Sequence, residues 1–259
     1  MRILITGASS GLGQALAEQA AAPGALLFIG GRDPARLAET AALVRARGAE
    51  AETALVDVRD RAGMAEWIAS CGRLDLVIAN AGISGGTGGE GEPEAQARNI
   101  FEVNVTGVLN TLYPAIALMR GQAPGADGFH GRLCIVASVA SFIAAPHAPA
   151  YCAAKAAARF MGEAMAPGLR RDGMLMTVAC PGYIRTPMTA VNDFPMPGLM
   201  DADVAAARIL VACRAGRVRV AFPWWLALAA RAANLLPPRA LGALMARGPA
   251  KARLPGEGA

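Results

Sequence analysis

The chain has 259 residues, 54% hydrophobic and 17% charged, with a formal net charge of +5. That length suits one α/β domain with an elaboration, and the apolar content excludes global disorder. The basic residues form no long run and no stripe with interleaved aromatics, which excludes a nucleic-acid interface of that kind.

Strand-like apolar runs alternate with helical patterns from the first residues. Strands are expected at 2–6, 26–30, 52–57, 74–79, 132–137 and 174–180. Helices are expected at 11–22, 34–47, 60–70, 93–120, 150–170 and 201–214. Short uninterrupted apolar strands such as Leu74–Ala79 and Leu133–Ala137 suit a parallel sheet covered on both faces. The alternation predicts right-handed crossovers and a doubly wound α/β sheet of Rossmann type. Ligands of such sheets bind at the carboxyl ends of the strands. Residues 1–222 are expected to form the dinucleotide-binding and catalytic domain, and 223–259 an apolar helical extension with a flexible tail frayed from Gly248 onward. The glycine-rich stretch 84–91 is expected to be a mobile loop.

The first strand runs into Thr6-Gly7-Ala8-Ser9-Ser10-Gly11-Leu12-Gly13, followed by a helical pattern. Glycines there let a pyrophosphate approach the backbone, and the helix start offers free N–H groups to it. The same residues fit the G-x-S-x-G elbow of serine hydrolases between Gly7 and Gly11, with Ser9 as nucleophile. That alternative needs a downstream acid and histidine, and His130 and His147 carry no mark of a triad. After the second strand comes Gly30-Gly31-Arg32-Asp33-Pro34. NAD sites place an acid near this point for the ribose hydroxyl. Glycine and Arg32 stand here instead, and a guanidinium fits a 2′-phosphate, so NADP is expected rather than NAD. Asp33 and Pro34 read as the start of the next helix.

Tyr151 and Lys155 lie four apart in an alanine-rich helical segment, on one helix face. An ammonium beside a phenol is expected to lower its pKa and make it a usable general acid/base. The chain has 25 basic residues, of which only Lys155 and Lys251 are lysines, so a lysine at this spacing is conspicuous. Ser138 follows a strand thirteen positions before Tyr151, where its hydroxyl can polarise a carbonyl; Ser141 is a near neighbour.

Five separated cysteines without a C-x-x-C pair suggest reduced thiols and a cytoplasmic protein. Two histidines leave no histidine-rich metal site, so no metal is expected. The sequence starts in a strand-like run, and no targeting peptide is expected.

Taken in order, these motifs resemble the short-chain dehydrogenase/reductase family in its ordinary-length branch, over roughly residues 1–222. Asp57-Val58 resembles the family's adenine-contacting pair. Asn80-Ala81-Gly82 resembles the turn under the adenosine ribose, with Ala79 where the family commonly has a further asparagine. Asn104 resembles the helix asparagine that holds a proton-relay water. Ser138, Tyr151 and Lys155 resemble the catalytic serine, tyrosine and lysine. Pro181-Gly182-Tyr183-Ile184-Arg185-Thr186 resembles the turn that holds the nicotinamide carboxamide, through Ile184 and Thr186. The resemblance implies an NADP-dependent carbonyl reductase or alcohol dehydrogenase. Hydride would reach the carbonyl carbon, Ser138 would bond its oxygen, Tyr151 would give the proton, and Lys155 would hold the nicotinamide ribose. It also implies a homodimer or homotetramer built through the helices near 93–120 and 150–170. A catalytically silent NAD(P)-binding regulator of the same fold is the alternative class.

The stretch 187–200, with Met188, Phe194, Met196, Leu199 and Met200, is expected to wall an apolar substrate pocket. His147 is expected to be an exposed loop residue. The extension from Pro223-Trp224-Trp225 carries Arg231, Arg239 and Arg247 and is broken by Pro237-Pro238, too short to cross a bilayer. It is expected to pack against protein, with peripheral membrane contact as the alternative.

Overall fold

A computed structural model describes residues 1–245 and 251–254. Seven parallel strands form one sheet in the order β3-β2-β1-β4-β5-β6-β7. They are β1 (Arg2–Thr6), β2 (Leu26–Gly31), β3 (Glu50–Leu55), β4 (Leu76–Ala79), β5 (Gly131–Val136), β6 (Met174–Pro181) and β7 (Arg219–Phe222). The fold is thus the doubly wound α/β fold expected from the strand–helix alternation.

The apolar runs follow from the layering. Along β1, Ile3 and Ile5 face one core and Leu4 faces the other; along β4, Leu76 and Ile78 oppose Val77 and Ala79 in the same way. Successive strand side chains point to opposite faces, so a strand covered on both sides needs an apolar residue at every position. One core is closed by α1 (Gly11–Ala20), α2 (Pro34–Ala46) and α8 (Ala202–Arg214), through Leu16, Leu37, Val44 and Ile209. The other is closed by α3 (Arg61–Ser70), α5 (Gly107–Gly121), α6 (Pro149–Arg171) and α9 (Trp224–Ala233), through Ile68, Leu112, Leu169 and Ala227. Short helices α4 (Glu94–Phe101), α7 (Pro187–Ala190) and α10 (Pro238–Met245) complete the described set.

β4 starts at Leu76 rather than at 74, and two further strands sit differently from the expected pattern. β3 spans Glu50–Leu55 rather than 52–57, and β7 was not expected at all. Both are edge strands. In β3 the two glutamates and Leu55 face solvent, so its composition marks neither end. β7 has only four residues with an exposed Arg219, and its pairing with β6 defines it. The helix expected at 93–120 is instead α4, a π-helical turn over Glu102–Thr106, and α5. Asn104 stands in that wide turn, which is the kind of insertion that redirects one side chain out of the helical register.

The sheet reverses its winding between β1 and β4. Crevices open at such a point, beyond the carboxyl ends of the strands. Among the described residues no helix is long and apolar enough to cross a membrane.

Candidate active site

The turn after β1 makes the floor of the crevice. Gly7 has φ +65°, a conformation side chains rarely adopt, and a Cβ there would lie 2.7 Å from the Ala81 Cα. A Cβ on Gly13 would press on the Gly7 carbonyl and lie 2.5 Å from Asn80 Nδ2. Both positions therefore require glycine, and the turn brings its backbone to the cleft. α2 and α3 are capped by Asp33 and Asp60 side chains, but Ser10 at the start of α1 makes no side-chain cap bond, and no acid stands in that first turn. The start of α1 is a place for an anion that its own sequence does not supply.

Asn80 ties this turn to β4. Its Nδ2 donates to the Thr6 and Gly7 carbonyls at 3.0 and 3.2 Å, while the N–H groups of Asn80 and Ala81 both donate to Thr6 Oγ1 at 3.1 Å. At the other end, Arg32 is exposed on the rim beside Asp57. The Arg59 guanidinium, 2.7 Å from Asp57, holds that carboxyl below its usual range. Asp33 Oδ1 accepts from the Arg36 N–H at 3.1 Å and so starts α2. Arg36 joins Arg32 on the cleft wall.

The cleft has a volume of about 630 Å³. Gly7, Ser9, Ser10, Gly11, Leu12 and Gly13 line it, with Arg32, Asp57 and Val58 at one end. Asn80, Ala81 and Gly82 line its side, and Ser138, Tyr151, Lys155, Pro181, Gly182, Ile184 and Thr186 its other end. Of the cofactor-binding and catalytic residues expected from the sequence, Asn104 alone does not line this surface; of the stretch expected to wall a substrate pocket, Met188 lines it, whereas Phe194, Met196, Leu199 and Met200 do not. Asn104 is fully buried, receives the Ile83 N–H at 3.0 Å and donates to the Ile83 carbonyl at 2.8 Å. One bond at each end of its amide is thus made to a single backbone unit, which ties Asn104 to the wall of the site.

Ser138 lies two residues past β5 at the start of the 3-10 turn Val139–Phe142, where its Oγ accepts from the Ala140 N–H at 3.1 Å and leans toward the Pro181 carbonyl. It hydrogen-bonds the Tyr151 phenol, as does Ser84. Ser141 lies buried near Cys180 and does not line the cleft, which separates the two candidate serines. Lys155 Nζ donates to the Val136 carbonyl at 2.9 Å and sits 5.9 Å from the Tyr151 ring centre. Burial pushes this ammonium down to about 8. The phenol, however, is not lowered. Burial raises it above the ordinary tyrosine value, and the hydroxyls of Ser138 and Ser84 pull it back only in part. Lys155 is aimed at a carbonyl rather than at the phenol oxygen, which is why the expected depression does not arise from the protein alone.

Three further expectations differ. His147 is half-buried, with Nε2 2.8 Å from the Met245 carbonyl. The loop 84–91 is pinned by Gln96 Nε2, which donates to the Gly86 carbonyl at 3.0 Å, and by the chain's own tail. Residues 251–254 of that tail are held against the body, while 246–250 and 255–259, including Arg247, lie outside the described residues. Ser9 lines the cleft, but both histidines lie outside it, and the hydrolase alternative has no base there. Sequence reasoning missed Arg36, which lines the cleft, and Ser84 and Lys251, which lie beside Tyr151. Ser84 follows the Asn80–Gly82 turn by two positions, and Lys251 is the second of only two lysines, so both carried a signal.

Comparison with known proteins decides the assignment. The family described as short chain dehydrogenase matches over residues 1–194. The chain belongs to that family. An uncharacterized oxidoreductase of Myxococcus xanthus is 36% identical over 238 residues, covering 90% of this chain and 92% of that one. Another, from Mycobacterium tuberculosis strain H37Rv, is 33% identical over 247 residues, with 92% and 94% covered. Among solved structures, levodione reductase superposes with a TM-score of 0.75 at 25% identity, covering 88% of this chain and 98% of its own. The protein is thus an oxidoreductase of the short-chain dehydrogenase family, whose cofactor is a nicotinamide dinucleotide. The uncapped helix start and the two obligatory glycines fit such a diphosphate.

Proposed function

We propose that this protein reduces the carbonyl group of a small molecule with NADPH and runs the reverse oxidation through the same groups. The observation that carries this reading is the meeting of Ser138, Tyr151 and Lys155 at one end of the cleft whose other end is the glycine turn. NADPH, when bound, supplies the hydride. Ser138 bonds the carbonyl oxygen while negative charge develops on it. Tyr151 gives that oxygen its phenolic proton, so hydride and proton together complete the alcohol. A phenol raised by burial keeps its proton at neutral pH, as a donor must, and the phenolate left behind is held by Ser138 and Ser84. Lys155 spends one N–H on Val136 and keeps the others for ribose hydroxyls and for returning the proton.

Arg32 and Arg36 at the adenosine end favour NADP over NAD, since two guanidiniums there suit a 2′-phosphate. Met188, on the cleft wall, favours an apolar substrate body. The levodione reductase likeness supports reduction as the direction. A cytoplasmic location remains our reading from the five unpaired cysteines. The outer faces of α5 and α6 expose Tyr113 and Phe160, which supports a homodimer or homotetramer through those helices. For the extension, Arg231 lies 4.3 Å from the Phe142 ring centre, which favours packing on protein over contact with a membrane.

The test is a panel of carbonyl compounds and alcohols followed by nicotinamide absorbance with NADPH and NADH. Tyr151→Phe should abolish turnover while cofactor binding stays near normal. Substantial residual turnover in that variant refutes the mechanism, whereas a wild type that binds the cofactor but is inert on the whole panel favours the silent, cofactor-binding alternative.

A further inference from the structure

The fold brings both lysines of the chain to one tyrosine. Lys155 Nζ lies 5.9 Å and Lys251 Nζ 5.1 Å from the centre of the Tyr151 ring. The first arrives from the same helix, the second from the far end of the sequence.

Lys251 is carried by a segment seated on the glycine-rich loop. The Gly86 N–H donates to the Ala252 carbonyl at 2.8 Å, and the Gly88 N–H to the Lys251 carbonyl at 2.9 Å. The Leu254 N–H donates to Gln96 Oε1 at 2.7 Å, and Arg253 pairs with Glu90 at 3.2 Å. The glycine content of the loop has its reason here, because a Cβ on Gly86 would collide with Lys251. Backbone bonds thus fix where the lysine enters, whatever its side chain does.

The ammonium is half-buried and donates to the Ser84 hydroxyl, which in turn bonds the Tyr151 phenol. Among the described residues no carboxylate pairs with it. The acid of this neighbourhood, Glu92, spends one oxygen on the Ala150 N–H at 2.8 Å and the other on Gln96 at 3.0 Å. An ammonium taken partly out of water without a counterion is costly, and burial pushes Lys251 down to about 8. A site built around an unmatched cation is completed by an anion.

We propose that Lys251 determines specificity by binding a carboxylate of the substrate beside the carbonyl that Tyr151 protonates, so that the substrates are oxo acids. This rests on the reading of Tyr151 given above. The cation stands 5.1 Å from the centre of the ring that carries the proton donor, and a carboxylate one or two carbons from the ketone spans a separation of that order. The remainder of the substrate would lie toward Met188.

Two readouts on the full-length protein test this. In the first, malonate, an inert dicarboxylate, is titrated into the NADP-loaded protein by calorimetry. Lys251→Gln should weaken its binding by roughly tenfold or more, the size expected for a hydrogen bond to a charged group, and Lys251→Arg should restore most of it. In the second, kcat/KM is compared for acetoacetate and its methyl ester, and for longer homologues of each. The wild type should prefer the acids, and Lys251→Gln should cut the acid-to-ester ratio by a similar factor. Equal malonate affinity in wild type and Lys251→Gln, or a wild type that prefers the esters, overturns the proposal. Malonate binding that depends on Lys251 in a protein that turns over nothing upholds the anion site and counts instead against the role given to Tyr151.

Discussion

Asn104 offers the sharpest test of how the site is held. Its amide makes two bonds to the Ile83 backbone, at 2.8 and 3.0 Å, and is fully buried. Asn104→Ala strips both partners from Ile83 and leaves an N–H and a carbonyl of this half-buried residue without their bonds. Each such group costs about 1–3 kcal/mol. Water entering the space of the lost amide recovers part of this, so the net loss should be about 2–4 kcal/mol. For a chain of this size, roughly 2–4 °C of Tm follows each kcal/mol, giving a fall of about 5–15 °C by calorimetry. Asn110→Ala is the comparison. Asn110 donates only, to the Val58 and Arg59 carbonyls, and carbonyls tolerate a lost bond better than N–H groups. That variant should lose only about 1 kcal/mol. Turnover should also separate the two, because Ile83 leads into Ser84 and the Tyr151 phenol, whereas Asn110 is remote from them. Equal, small Tm shifts with unchanged kcat in both variants would refute the view that Asn104 clamps the wall of the site.

Arg32→Ala should raise the KM for NADPH by roughly tenfold, the scale of one bond to a charged group, and leave that for NADH nearly unchanged; equal effects on both would defeat the NADP assignment. Lys155 supplies a pH signature. Its folded value, about 8, lies below its ordinary 10.5, so between those limits the unfolded chain holds more protons and folding gains as pH rises. Buried thiols such as Cys71 and Cys180, pushed up to about 12 and about 11, act in the opposite sense above pH 9. The comparison is therefore with Lys155→Met. From pH 8 to 10.5 the wild type should gain on the variant by up to about 3 kcal/mol in denaturant melts, at about 1.4 kcal/mol per pKa unit. A gap independent of pH would show that the ammonium is not desolvated.

Much of the site was legible because its parts are local. The Gly7–Gly13 turn and the Tyr151–Lys155 spacing each lie within one stretch of chain, and backbone geometry alone fixes what they can do. The distinction between Ser138 and Ser141 was only half legible. Both follow the same strand, and it is the 3-10 turn Val139–Phe142, capped by Ser138, that turns one toward the phenol and the other toward Cys180. The π-helical turn at Asn104 left no periodic trace, since one extra residue in a turn shifts a helix face without changing composition. The direction of the Tyr151 shift was misjudged because spacing shows that an ammonium is near, not where it points or how much water both groups have lost.

The sequence by itself determined the alternation of strands and helices, the doubly wound sheet, the phosphate-type turn and the helical tyrosine–lysine pair, because each is written in contiguous residues whose sterics and periodicity act over one or two turns of chain. Only the tertiary structure decided that β7 joins the edge of the sheet, that Asn104 is tied to Ile83, and that Lys251 reaches Ser84 beside Tyr151. Those contacts join residues far apart in the chain, and they exist only once the packed sheet and helices have fixed the distances between them.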